Sequence, residues 1–347
     1  MAFPRTNKSE LGQLRRRTRT VAVGALAATL LLGGCSALGS QGGDAADSYP
    51  TETLDYIIPF APGGSTDPVG REFSRMLAEK LGTTATVENM PGGDQAIGVT
   101  AVLNAEADGY TMGLSSPSGI IVQPLLNKEL TYQNASDYTP VVKMVTGPYA
   151  LLVAQDSPFQ NLDELIEAAG DDPGAIRVGT TARMSDNSFA IFSLEEQADI
   201  ELTVVPFPGG AGESVLAVLG GQIEAIIATA SGQLGLVQSG DLRALAHTGT
   251  PSYDATLPGS VSFESAGFDI PFSSEFMTVA PAGLPDAVRE KLIVAARSVA
   301  ESPEWAAWCK TQGILPEAVS GPDLDQWIVD TTERSRAAIA LAQSRED

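Results

Sequence analysis

One stretch constrains this chain more than any other: Ile57-Ile58-Pro59-Phe60-Ala61-Pro62-Gly63-Gly64-Ser65-Thr66-Asp67-Pro68, a short apolar run that passes through a Pro/Gly-rich turn into a helix start. Strand-to-helix turns of this kind expose backbone N–H groups at the positive end of a helix and can hold an anion. Asp67 suits a helix N-cap with Pro68 at the first helical position. Val69, Phe73, Met76, Leu77 and Leu81 then recur at helical spacing until Gly82 stops the pattern.

The same grammar repeats downstream. Thr84–Glu88 reads as a strand, Asn89–Gly93 as a tight loop, residues 95–106 as a helix, and Tyr110–Leu114 as a strand after the Asp108-Gly109 turn. Further strands are expected at Tyr149–Ala154, Ile176–Thr181, Leu202–Pro206 and Leu242–Ala246, and Gly220–Ala228 reads as a turn plus a strand. Helices are expected to start near Asn161 and Ser185 and after the turn Phe207–Glu213. Beyond residue 270, Ser274–Ala280 reads as a strand, and Pro281-Ala282-Gly283-Leu284-Pro285 turns into two helices that end near Ser344. Alternating strands and helices predict an α/β fold with largely parallel sheets, here in two units. Ligands of such sheets sit outside the carboxyl ends of strands. Each small-polar or Gly-rich turn lies at such an end, so two units facing one another would form a clamp for a small carboxylate or similar anion.

Charge narrows the partners. The 347 residues carry 21 Lys+Arg against 43 Asp+Glu, a formal net charge of −22. That excludes a basic footprint for nucleic acid and requires an anionic ligand to be held by local dipoles against the overall field. The first residues read as a targeting segment: Arg5, Lys8, Arg15, Arg16, Arg17 and Arg19 are basic, Val21–Leu32 is apolar, and Leu32-Gly33-Gly34-Cys35 follows at once. The tetrad resembles a bacterial lipobox, with cleavage before Cys35 and a lipid on its sulfur; an ordinary secretory signal cut nearby is the alternative. The apolar run is too short for a membrane span. Without residues 1–34, which hold six basic residues and one acidic residue, the remainder carries −27. Residues 35–48 are too polar to fold and read as a flexible tether. With Cys35 lipidated, Cys309 has no disulfide partner and reads as a packed core thiol.

Signals for catalysis are sparse. His247, the single histidine, follows a strand with no nucleophile elbow or Cys-x-x-Cys pair beside it, and no metal-ligand spacing occurs. Pro208-Gly209-Gly210-Ala211-Gly212-Glu213-Ser214 lacks the Gly-Lys-Ser/Thr ending of a phosphate loop, and Pro62-Gly63-Gly64-Ser65 lacks dinucleotide-fingerprint spacing. No cofactor, no metal and no enzyme activity are therefore expected. The enzyme alternative is a cell-surface hydrolase or transferase using His247.

Ile58–Asp67 resembles the signature of the tripartite tricarboxylate transporter solute-binding receptors, the Bug or TctC-like family. Similar matches follow in order: Val87-Glu88-Asn89-Met90-Pro91-Gly92, Ala107-Asp108-Gly109-Tyr110-Thr111, Leu219-Gly220-Gly221-Gln222-Ile223, Gly240–Ala246 and Ala280–Pro285. They span about Tyr49 to Trp327. The resemblance implies a two-lobe periplasmic-binding-protein (Venus flytrap) fold, with lobe 1 from 49–149 and 274–347, lobe 2 from 150–273, and hinge strands near 149–154 and 274–280. It implies a receptor on the extracytoplasmic face of the membrane, capture of a small organic carboxylate, and delivery to a two-subunit permease; an envelope sensor for a signalling partner is the third possibility.

Carried over position by position, the resemblance implies ligand contacts from Phe60, Ala61, Gly64, Ser65, Asp67, Ser115 and Ser116 in the first lobe. The second lobe would supply Thr180, Thr181, Ser185, Asn187, Gly209, Gly210, Ala228 and Thr229. Asp67 and Ser185 could instead serve only as helix caps. The chain departs from the family where Ala-Gly-Gly usually follows Pro91-Gly92 and Gly93-Asp94-Gln95 stands here. It departs again at Ser185-Asp186-Asn187-Ser188, commonly Thr-Ser-His-His, and at Ala228-Thr229, commonly Asp-Asn. Loss of that Asp argues against an amino-acid ammonium in the cleft, since a buried cation needs a counter-charge. Ligand choice is expected to rest on Asp94, Gln95, Asn187, Ala228 and Thr229.

Overall fold

The computed structural model describes residues 48–344 except Ser65, Pro208 and Gly209. The expected signal segment, the tether up to residue 47 and Cys35 lie outside the described residues, as do Ser65 and Gly209 of the expected ligand set.

In chain order the elements are β1 (Leu54–Ile58), α1 (Asp67–Leu81), β2 (Ala85–Asn89), α2 (Ala96–Leu103) and β3 (Thr111–Ser115), then a π-helical turn at Ser118–Val122 and β4 (Tyr138–Gly147). Next come β5 (Tyr149–Ala154), α3 (Leu162–Asp171), β6 (Arg177–Thr180), α4 (Asp186–Ala198), β7 (Thr203–Pro206), α5 (Ala211–Leu219), β8 (Ala225–Thr229), α6 (Ala230–Ser239), β9 (Leu242–His247) and β10 (Val261–Ser262). The last are β11 (Ser274–Pro281), α7 (Asp286–Ala300), α8 (Pro303–Gln312), β12 (Leu315–Val319) and α9 (Pro322–Ser344).

These strands form two six-stranded sheets, ordered β12-β4-β11-β3-β1-β2 and β10-β9-β5-β8-β6-β7. The two share one plan. In the first, β1 runs parallel to β2 and β3; in the second, β6 runs parallel to β7 and β8. The sheets are mixed rather than largely parallel, because β11 runs antiparallel to β3 and β4, and β5 antiparallel to β8 and β9. At β5 and β11 the chain enters one sheet after leaving the other, at Gly147-Pro148-Tyr149 and before Ser274, and the edge strand β12 also runs antiparallel to its neighbour β4.

Three strands lie where the sequence suggests none: β4, the two-residue β10 and β12. In β4, Pro140 and Lys143 break an otherwise apolar run, yet Lys143 is 5% exposed, with its Nζ 2.6 Å from Glu275 of β11 and 2.7 Å from Glu317 of β12. A buried cation is tolerated when paired this closely, and the Trp327 ring lies 4.8 Å from the same nitrogen. Pro316 sits in β12, an edge strand, where a missing N–H costs least. The two helices expected after Pro285 are three, with β12 between the second and the third.

Each sheet has its own apolar packing. Tyr56, Ile58, Phe73, Leu77, Leu114 and Trp305 are among the fully buried residues on the first, and the Trp305 indole donates to the Met144 carbonyl at 3.1 Å. Leu151, Val153, Phe189, Ile191 and Phe263 pack on the second. Helix α9 serves both: Leu324 and Ile328 pack with first-sheet residues such as Ile57 and Met277, and Ala338, Ile339 and Ala342 with second-sheet residues. Its 23 helical residues extend about 35 Å, enough to reach from one packing cluster to the other.

Candidate ligand site

The carboxyl ends of β1, β2 and β3 open into the turns 59–66, 90–95 and 116–117, and those of β6, β7 and β8 into 181–185, 207–210 and the start of α6. The two sets meet. Ser118 Oγ, just after β3, donates to Asp186 Oδ2, just after β6, at 3.0 Å. Tyr149 at the start of β5 shares a hydrogen bond with Ser274 at the start of β11.

In the first set, Asp67 is not the N-cap. Thr66 takes that position without a side-chain cap bond, and Asp67 is the first helical residue. Its carboxylate is buried and turned onto its own neighbourhood: it accepts from the Gly63 N–H (3.2 Å), Arg71 Nε (3.0 Å) and Asn89 Nδ2 (2.8 Å). Burial raises its pKa, but the Arg71, Asn89 and Gly63 donors outweigh burial and hold it below the usual carboxylate range. Gly63 has φ +80, a left-handed conformation that glycine adopts without strain. Asn89 also donates to the Phe60 carbonyl at 2.9 Å, tying the turn to β2, and the Phe60 ring packs edge-on against Phe276, centroids 5.8 Å apart. Ala61 and Gly64 are exposed. Asp67 and Phe60 therefore shape the turn, and the backbone around Ala61–Gly64 is what it presents outward.

The loop after β2 and the end of β3 are joined by a side chain. Gln95 is 4% exposed; its Nε2 donates to Ser116 Oγ at 2.7 Å, and its Oε1 accepts from the Ser116 N–H at 3.1 Å. Ser115, also buried, directs its hydroxyl to the Ser116 carbonyl at 3.3 Å. Asp94 accepts from Gln123 Nε2 at 3.2 Å, and burial raises its pKa above the ordinary carboxylate value.

The second set is a network of hydroxyls and one amide. Thr180 and Ser185 donate to the Ala182 carbonyl at 3.1 and 2.9 Å, Thr181 donates to Asn187 Oδ1 at 3.2 Å, and Asn187 Nδ2 donates to the Ile227 carbonyl at 3.1 Å, locking α4 to β8. Ser185 occupies the N-cap position of α4, although no side-chain cap bond forms there. Gly210 precedes α5 at φ +89. Ala228 is buried opposite Ala150, and Thr229, opposite Tyr149, leads into α6.

Asp186 was visible only as a departure from the family pattern. It is 4% exposed, and burial, with the Glu275 and Asp94 carboxylates nearby, pushes its pKa up to about 7 against the Ser118 hydrogen bond. Its sequence signal is an acid immediately after a helix-capping Ser, which alone reads as an ordinary first-turn carboxylate.

His247 ends β9 opposite Ala150, the residue whose other side faces Ala228. It is fully buried, with Nε2 2.9 Å from Asp254 Oδ1, and burial lowers its pKa despite that partner. A groove of about 400 Å³ lined by Lys80, Leu81, Glu290, Lys291 and Val294 touches none of the candidate residues. Among the described residues no group of three or more His, Cys, Asp or Glu is placed to hold a metal ion, and no helix is long and apolar enough to cross a membrane.

Comparison with known proteins bears directly on this arrangement. The family model described as tripartite tricarboxylate transporter family receptor matches residues 69–343. A UPF0065 protein of Bordetella pertussis is 29% identical over 292 residues, covering 84% of this chain and 89% of its own. A solved structure of a periplasmic transporter superposes with a TM-score of 0.75 at 27% identity, covering 84% of this chain and 98% of that one. MatC from Rhodopseudomonas palustris, solved with bound malate, shares the fold at a TM-score of 0.71 and 23% identity, covering 84% of this chain and 100% of that one. The two sheets are thus the two lobes of a periplasmic-binding-protein fold, and the chain belongs to the tripartite tricarboxylate transporter receptor family.

Proposed function

We propose that this protein is a lipid-anchored extracytoplasmic receptor that closes around a small organic carboxylate and delivers it to a two-subunit membrane permease. The observation that carries this reading is the convergence of two sets of strand-end turns, one from each sheet, at the Ser118–Asp186 contact. Exposed backbone at Ala61–Gly64 supplies uncharged N–H donors, the chemistry that holds a carboxylate without a salt bridge, and the hydroxyl network of Thr180, Thr181, Ser185 and Asn187 makes the facing turn polar. Ser65, Gly209, Gly210, Ala228 and Thr229 complete the proposed ligand set, with Ser115 and Ser116 at the floor of the first lobe. Family membership and the malate bound by MatC support the ligand class. Lobe 1 would comprise 49–149 and most of 274–347, lobe 2 150–273 with the end of α9, and the hinges β5 and β11. Closure is then a ligand-driven population shift.

A thermal-shift screen of di- and tricarboxylates, aromatic acids, amino acids and sugars tests the ligand class. At least one carboxylate is expected to raise the Tm; stabilisation by amino acids or sugars alone would sink it. Intact mass of protein extracted from membranes tests the anchor, with a lipid-sized increment on a chain starting at Cys35 expected.

A further inference from the structure

Gln95 does something unusual for a loop residue. Asp94 and Gln95 are consecutive non-glycine residues in the left-handed region, with φ of 47 and 77. That region disfavours L side chains and is held only where surrounding contacts over-determine it. The contacts here are the two hydrogen bonds to Ser116. A backbone N–H can meet only an acceptor, so the Ser116 N–H fixes which end of the carboxamide is oxygen. Gly119 leaves the space for it: a Cβ there would stand 2.8 Å from Gln95 Oε1 and 3.0 Å from Ser115 Oγ.

The result is a carboxamide seated on the end of β3 as a ligand carboxylate would be, its oxygen on a strand-end N–H. The backbone N–H that this strand end could offer an anion is spent on the chain itself, and the Ser116 hydroxyl oxygen is occupied by the Gln95 amide. The surroundings are hostile to a second negative charge as well: Asp94 is the neighbouring residue, and Asp186 and Asp94 lie close enough for each carboxylate to feel the other. Given the carboxylate reading above, on which this rests, we infer that Gln95 is a specificity-determining plug that closes one end of the ligand site and restricts the receptor to ligands with a single carboxylate. That carboxylate binds at the remaining turns, and the ligand's other end is uncharged.

The test compares straight-chain monocarboxylates of two to eight carbons with the corresponding dicarboxylates, hexanoate against adipate being the matched pair, by calorimetry and thermal shift on the wild type and on Gln95→Gly. Glycine suits the backbone at this position, so the variant removes the plug without adding strain. The wild type is expected to bind the best monocarboxylate at least tenfold more tightly than its dicarboxylate match. Gln95→Gly should shift that ratio at least tenfold toward the dicarboxylate. A wild type that prefers dicarboxylates, or a ratio within twofold of wild type in the variant, overturns the plug while leaving the receptor reading in place. No binding of either series, nor of any acid in the thermal-shift screen, overturns the carboxylate reading and the plug with it; if only other screened acids bind, one that carries two or more carboxylates overturns the plug alone. If circular dichroism shows Gln95→Gly unfolded, Ser116→Ala, which loosens the carboxamide from one partner, should move the ratio in the same direction; no movement overturns the proposal.

Discussion

Asp67 and Asp186 occupy the same place in the two lobes: each is the first residue of the helix that follows the first strand of a parallel trio, α1 after β1 and α4 after β6. Both are buried, and both sit at a helix start, where the dipole favours an anion. Their pKa values are nevertheless shifted in opposite directions. Asp67 has Arg71, Asn89 and the Gly63 N–H and is held ionised. Asp186 has Ser118 for a donor, but burial first and then the Glu275 and Asp94 carboxylates push its pKa up to about 7. The contrast teaches that local sequence position does not set a carboxyl's charge; the donors and charges that tertiary packing brings up to it do.

Asp186→Asn should show the largest effect. The native carboxyl binds its proton more tightly than the unfolded one, whose ordinary value is 3.8. Stability therefore falls as pH rises from about 4 to about 7, and the penalty is fully present above that. The amide has no such penalty, so the variant should be more stable than wild type at pH 8 by something on the order of 4 kcal/mol, the equivalent of roughly three pKa units. The gain should vanish below pH 4. Urea midpoints across pH 4–8 check it, and a gain that does not depend on pH would break the contrast.

Asp67→Asn should do the reverse. The lowered pKa of Asp67 contributes stability that is present above the unfolded value and lost as pH falls through the folded one. Arg71 is about half exposed, which screens the pair. A loss of about 1–2 kcal/mol at pH 7, shrinking in acid, is expected from the same urea titrations.

Ser118→Ala sharpens the comparison with the smallest effect. It removes a donor that favours the Asp186 carboxylate, so proton binding should strengthen and the pH window of the Asp186 penalty should move upward. At neutral pH the cost is about 1 kcal/mol. Carboxyl resonances followed by NMR during a pH titration would register the shift; an unmoved Asp186 titration would show that Ser118 does not set it.

Much of the fold was legible in the chain because βα units announce themselves locally. The strand at Tyr149–Ala154 and the helix start at Asn161, whose side chain accepts from the Glu164 N–H, stand where periodicity and capping put them. β4 was not legible, because its Lys143 is acceptable in a strand interior only with Glu275 and Glu317, 132 and 174 residues away in sequence. In the candidate site, the Gly-rich turns and hydroxyl residues could be read from the sequence. Gln95 could be singled out, but its pairing with Ser116 depends on how the loop after β2 folds over β3.

By itself, then, the sequence determined the alternation of strands and helices, the Gly- and Ser/Thr-rich turns at strand ends and the family they mark. These depend on neighbours within a few residues, where side-chain size, capping and backbone freedom act directly. Tertiary structure alone decided which acid is charged, which strand tolerates a lysine and which donor is already taken. Each of those outcomes is a balance of desolvation against a partner distant in sequence, as Ser118 is from Asp186.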